Sequence, residues 1–571
     1  MLIITSKLRF NFIIIDINTI FEQNFKTKKQ TMKKQFKSLC LFMMVLAGSQ
    51  TSYSQDVKIE NGSQFKVTSL ESIRTIIDVQ NDQSSFLTSA GLLGKKFRVL
   101  NLDGSLDIKS KFDIEVPKVD KKKVKFVGAE KFGSSTFFFS RYFDRKADSY
   151  TLYASQLDPN TGKFLKNFEA AQVNDDKFGA FRNPFTTFTS IDSTKMLILT
   201  TYPTKRNENV RYGLKVVNPD MSTVWAKDIE FAEADKDFTL TDVEIDRDGN
   251  IHMIATLRMS REEKKAKDSK SRYYTNVYSY FHETGELKQY EIGFSDYIIR
   301  SIDLDVNDKD ELIGMGFYSD KKIQLVDNYK GFFFLKIDPK SKEVVTSNVS
   351  PFSEDLIEEL AGKRKAKKGK FPPYVVRKSI PLDNGGYAVV AEHYVYTYNE
   401  TTSSSGATQT SETWLYGNVV VMFMSPEGKM ETASVIKKKQ FCTAKNGGAS
   451  FLQQLGFGMY PGVNELPYYG ISVIENDNNI YILYNENPKN ADRVKEGKNP
   501  KSVRQRNSVT MLNTFKPDGS VHGDVLFKSK DASEGVKMPL MPQSYVQYSD
   551  NAAILFGKRG KKMRATRITI G

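Results

Sequence analysis

The chain has 571 residues, 39% hydrophobic and 12% aromatic, with 83 Lys+Arg, 68 Asp+Glu and two cysteines. That is a globular composition with ample material for a large core. Beyond residue 54 no stretch approaches the roughly 18 uninterrupted apolar residues of a membrane helix. Residues 1–54 hold 8 Lys+Arg and 2 Asp+Glu, which leaves +9 for the remainder. That charge is too small for a dedicated nucleic-acid protein, though local basic patches remain open.

The first predicted element is a targeting segment. Met32 to Lys37 is a positive run, Leu39 to Ala47 a short apolar core, and Ser52-Tyr-Ser54 puts small residues where a signal peptidase cuts. Cleavage is expected before Gln55, with translation starting at Met32 and residues 1–31 an upstream extension. Cys40 lies inside the apolar core rather than at its end, which argues against a lipid anchor. Its removal leaves Cys442 alone, so no intrachain disulfide is expected and the core must hold the fold.

The mature chain then reads as short strands throughout. The clearest unit runs from Leu240 to Ile292: four alternating runs, two tight turns and one long charged loop. The unit recurs. Turns of one kind fall at Asn81-Asp82, Phe132-Gly133, Asp192-Ser193, Asp248-Gly249, Asn307-Asp308, Asn384-Gly385, Asp477-Asn478 and Asp550-Asn551. Each joins the first and second strand of a unit, where Asn, Asp and Gly supply positive φ or side-chain-to-backbone bonds. Turns of a second kind, between third and fourth strands, fall near Gly104, Gly162, Asp220, Gly285, Ser341, Gly428 and Gly519.

Eight turns of the first kind stand against seven of the second. The last unit, 544–571, runs out of chain after three strands, and Val57 to Leu70 is β-patterned and unclaimed. The expected fold is all-β: a β-propeller of eight four-stranded blades over 55–571, the last completed by the N-terminal strand. Seven blades is the alternative, and two tandem β-sandwiches the competing architecture.

In a propeller the two kinds of turn share one face, and the second-to-third loops and blade links share the other. All the long insertions, at 258–272, 354–373, 399–412, 439–467 and 487–507, belong to the second group. Insertions gathered on one face mark a working surface, against the plainer reading that loops lengthen wherever they are tolerated. Within them, Glu354 to Ala361 has helical spacing. Thr401 to Ser411 reads as a flexible loop. Lys363, Arg364, Lys365, Lys367 and Lys368 form the densest basic run. With Arg261 to Arg272 and Lys489 to Arg506 it is either a cationic patch for phosphate or carboxylate polymers or a set of solvated loops.

Candidate chemistry is sparse. The four histidines, His252, His282, His393 and His522, show no metal-ligand spacing. Asp246 to Asn250 resembles a calcium loop only in its first half and reads better as a hairpin turn. No nucleophile elbow or phosphate loop is present. No catalytic residue, metal or cofactor is assigned. On the second strand of unit six, alternation puts Glu392, Tyr394, Tyr396 and Tyr398 on one side and His393 on the other. The tyrosines are either a platform for sugar or peptide or inter-blade packing. The runs Gly385 to Tyr394, Tyr416 to Val421 and Val435 to Gln440 resemble secreted bacterial propeller-like proteins of unknown function, a likeness that implies no active site.

The expected function is a non-catalytic binding or scaffolding propeller of the bacterial envelope. It would be exported and monomeric, holding a protein or glycan on the inserted face. The alternative is a polysaccharide hydrolase or lyase with carboxylates in the central channel.

Overall fold

The computed structural model describes residues 57–571 except 69–70, 80–82, 91–95, 120–121, 175–182, 293–295, 322–328, 368–370, 403–407, 446–465, 467, 504–507 and 529–537. Residues 32–54, expected as a targeting segment, and the turn at Asn81-Asp82 therefore lie outside the described residues. Eight antiparallel sheets follow one another along the chain; seven have four strands in sequence order, the sixth with a further strand beside them, and the eighth joins the last three strands to the N-terminal one. The blades span 72–114, 125–174, 185–234, 238–291, 297–351, 374–436 and 472–528, and the eighth takes 540–570. First strands of neighbouring blades approach one another around the ring, including the eighth against the first. The protein is an eight-bladed β-propeller, and the repeat read from its turns is the repeat it has.

Closure happens where the strand count predicts it. In the eighth blade Val57–Asn61 lies beside the last strand, Lys562–Ile570, and Phe65 and Lys66 pair antiparallel with Met563 and Lys562. Gly62 donates to the Ala565 carbonyl at 3.1 Å and Val67 to that of Lys561 at 2.9 Å. The joint has its own core: Phe65, Phe86, Leu100, Ile554, Phe556 and Met563 are buried together. The Phe86 and Phe556 rings meet edge-on at 4.7 Å. A closed ring leaves no open sheet edge between its two ends.

Sequence pattern explains each blade's layers. Middle strands such as Ile251–Arg258 and Leu312–Asp320 are near-continuous apolar runs because blades cover both of their faces. Outer strands such as Thr223–Ala234 alternate buried and exposed residues. Around the axis, polar bonds stitch one first strand to the next. Glu130 accepts from Thr187 at 2.5 Å and Thr189 at 3.3 Å. Asp242 accepts from the Leu304 amide at 3.3 Å, Asp303 from Ser379 at 3.0 Å, and Gln547 from the Glu475 amide at 3.1 Å.

The turn face is plain. Asp246 closes its hairpin by accepting from the Asn250 backbone amide at 2.7 Å and side-chain amide at 2.9 Å. Buried His252 sits between Asp246, at 3.4 Å, and Ser279, at 2.8 Å. These are structural uses of the histidine and the aspartate.

Candidate functional site

The opposite face carries the insertions, and most have structure of their own. Helix α1 (Arg261–Ala266) stands in the second-to-third loop of blade four behind a capping box, Ser260 with Glu263. Helix α2 (Glu354–Ala361), capped by Ser353, links blades five and six and buries Leu356 and Leu360, as its spacing predicts. Helix α3 (Lys363–Ala366) follows it, and α4 (Asn490–Lys495) fills the loop of blade seven.

Residues 399–412 depart from the expected flexible loop. The second and third strands of blade six extend to Tyr387–Thr402 and Thr408–Met424, paired from Tyr387–Met424 out to Thr402–Thr408. Residues 403–407 between them are not described. Gln440–Lys445, expected as part of a loop, adds a third strand along Ser411 to Tyr416. The physical reason is composition: Thr397, Tyr398, Thr401, Thr408 and Thr410 are good strand formers, so the Ser/Thr-rich stretch pairs rather than coils.

The insertions lock together. Lys437 on the way out of blade six reaches Glu359 of α2 at 3.8 Å, and Asn418 donates to the Leu360 carbonyl at 3.3 Å. Val503 donates to the Lys439 carbonyl at 3.2 Å and Phe441 to Ser502 at 3.0 Å. Leu466 donates to the Tyr416 hydroxyl at 2.9 Å. Blades six and seven thus share one continuous platform on this face.

The expected site residues separate on it. Glu392, expected among the ligand-binding residues, is fully enclosed. Arg377 holds it at 2.6 Å and Lys438 at 2.5 Å, and Lys438 is itself fully buried. Burial alone would raise its pKa; Lys438 and Arg377 outweigh that and hold it below the usual carboxylate range. Tyr394 and Tyr396 are half-buried against Tyr416, at 5.1 Å, and Trp414, at 5.5 Å. Their cluster includes Leu466 and Tyr469. Tyr398 is exposed, at 49%. A β-bulge between Glu392 and Tyr394 absorbs His393. Across the other side of the extension, Val395, Leu415 and Phe441 stand in one register row, with Phe441 47% exposed. Lys363, Arg364 and Lys367 are exposed, Lys363 lying 3.7 Å from Glu358. Lys368 and the side chain of Lys365 lie outside the described residues.

Sequence reading missed a second feature, near the axis between blades four and five. Asp242, Glu244, Asp303 and Asp305 are half-buried on adjacent first strands. Burial first, then the charges of Asp242, Asp305 and Asp303, push Glu244 up to about 9. Burial and Asp242 push Asp303 up to about 7. The signal was present: Asp242-x-Glu244 and Asp303-x-Asp305 occupy equivalent positions in consecutive units. Among the described residues no group of three or more His, Cys, Asp or Glu is placed to hold a metal ion. Asp242 and Asp303 spend bonds on Leu304 and Ser379, so part of this cluster holds blades together.

No protein-family profile and no curated protein sequence matches the chain. Solved structures with a similar fold include the WD40 domain of SCAP from fission yeast, at 10% identity and TM-score 0.38, covering 91% of this chain and 97% of that one. The Dos1 propeller aligns at 9% identity and TM-score 0.39 over 90% and 96%. The β-propeller domain of the Trilobed protease from Pyrococcus furiosus aligns at 10% identity and TM-score 0.30 over 64% and 95%. Among the described residues no helix is long and apolar enough to cross a membrane.

Proposed function

We propose that this propeller is a non-catalytic binding or scaffolding protein of the bacterial envelope that holds a partner protein or glycan on the face carrying the insertions. The observation that carries the reading is the platform over blades six and seven. Its insertions are hydrogen-bonded together, and it presents Tyr398 on one side of the blade-six extension and Phe441 on the other to solvent. Exposed aromatics on a rigid support are what a binding surface uses, because little side-chain entropy is lost on contact. The basic run that follows α2, of which Lys363, Arg364 and Lys367 are exposed, suits an anionic partner. The charge and apolar pattern of residues 32–54 supports export.

Capture from an envelope extract tests this with three baits. These are the natural chain, a Tyr398→Ser/Phe441→Ser pair, and a Val344→Ser/Val345→Ser pair on the exposed outer strand of blade five. One protein or glycan retained by the natural chain and the blade-five pair, and lost from the platform pair, is expected. Equal recovery by all three counts against the reading.

A further inference from the structure

A pocket of about 260 Å³ opens where blade six meets blade seven, under α4. It is smaller than the ~300–1,000 Å³ usual for drug-sized ligands, so it suits a side chain or a molecule of that size. Most of its wall is apolar: Val435, Ile436, Val494, Val509, Met511 and Val525. Its polar residues are poorly served. Glu486, 4% exposed, receives both of its hydrogen bonds on one oxygen, from the Asn487 amide at 2.6 Å and the Asn490 side chain at 2.7 Å. Its second oxygen accepts none from the described residues. Tyr484, also 4% exposed, has no hydrogen bond through its hydroxyl among the described residues. The side-chain oxygen of Asn513, on the same wall, is buried without a partner among the described residues.

Of these atoms the Asn513 oxygen is the one sealed from solvent without a partner among the described residues, which is destabilising unless something satisfies it; the second Glu486 oxygen and the Tyr484 hydroxyl are open to a new partner. Two acceptors, one anionic, beside a rotatable hydroxyl and inside an apolar sleeve call for a donor that is cationic and carried on an apolar stem. An anion would meet the carboxylate, and an alkane would leave these atoms unsatisfied. We propose that this pocket binds a primary ammonium on a short aliphatic stem, the chemistry of a lysine side chain. The ammonium hydrogen-bonds to the free oxygen of Glu486, and the stem lies along the valines and Met511.

Two lysines stand near the pocket. Lys437 lines the pocket but is turned to Glu359 at 3.8 Å. Lys438 is spent on Glu392 at 2.5 Å and lowers the Glu486 pKa only weakly. Burial pushes the Glu486 carboxyl up to about 7, against the pull of Asn487, Asn490 and Lys438. Affinity for an ammonium is therefore present above that value and lost below it, as the carboxylate gains a proton.

The pocket can be tested with the full mature chain and no partner, so the outcome is independent of whether a platform ligand exists. Butylammonium, butanol and butyrate are titrated by calorimetry at pH about 8 and about 5.5. Saturable binding is expected for butylammonium alone, weakening at least about tenfold at the lower pH and in Glu486→Gln, the scale of one charge-assisted bond. Ala491→Leu, an exposed position at the pocket mouth, keeps the buried groups intact and is expected to weaken binding as well. Equal binding of butanol, unchanged binding in Glu486→Gln with a native circular dichroism spectrum, or no binding of butylammonium would overturn the proposal.

Discussion

Single residues show where local pattern stops being informative. Alternation set Glu392 and the tyrosines on one side of a strand, but could not say which side the chain would later cover. Lys438 comes 46 residues on, and Leu466 and Tyr469 follow it to bury the aromatic side. Such a buried charge is held by partners that are close only after folding. The acids between blades four and five carry the strongest residue-level consequence. Glu244 has a folded pKa raised from 4.5 to about 9, and Asp303 from 3.8 to about 7. The folded state thus binds protons more tightly than the unfolded one. Stability from these groups is greatest below the unfolded values and falls as pH rises toward the folded ones. The melting temperature should drop between about pH 5 and about pH 8, and Glu244→Gln should shrink that drop by several degrees. An unchanged drop in the variant, followed by circular dichroism, would remove these carboxylates from the account.

Among the elements, turns were the most legible, because tight hairpins demand particular backbone conformations. Gly133, Gly249, Gly285, Gly385, Gly428 and Gly519 all have positive φ where the sequence placed a turn. Helix α2 was legible from Ser353 and its apolar face. The extension of blade six was not, since a polar Thr-rich stretch reads alike as coil and as exposed strand until its partner is known. Gly428 shows how a turn also sets blade spacing. Its φ is +76°, and an added Cβ would overlap the Phe334 ring of blade five. Gly428→Ala combines backbone strain with overpacking, each on the order of 1–3 kcal/mol. Urea unfolding should register a loss of at least about 2 kcal/mol. A loss under about 0.5 kcal/mol, the usual range for a surface change, would mean that blades five and six do not meet there.

For the molecule as a whole, the arithmetic of turns carried the fold: eight of one kind, seven of the other, and an unclaimed strand at the far end. That inference needed no homology, because closing the ring is the physical remedy for two open sheet edges. The joint buries Phe65 and Met563 side by side, and the inserted face keeps its shape only while the joint stays shut. A Phe65→Cys/Met563→Cys pair in a Cys442→Ser background measures this directly, since these residues oppose each other in register and directly opposed strand residues lie within disulfide reach. Mild oxidation of the natively folded chain should give an intramolecular crosslink, seen as faster migration on a denaturing gel and reversed by reductant. Free thiols or crosslinked dimers alone would contradict a ring sealed by its own two ends.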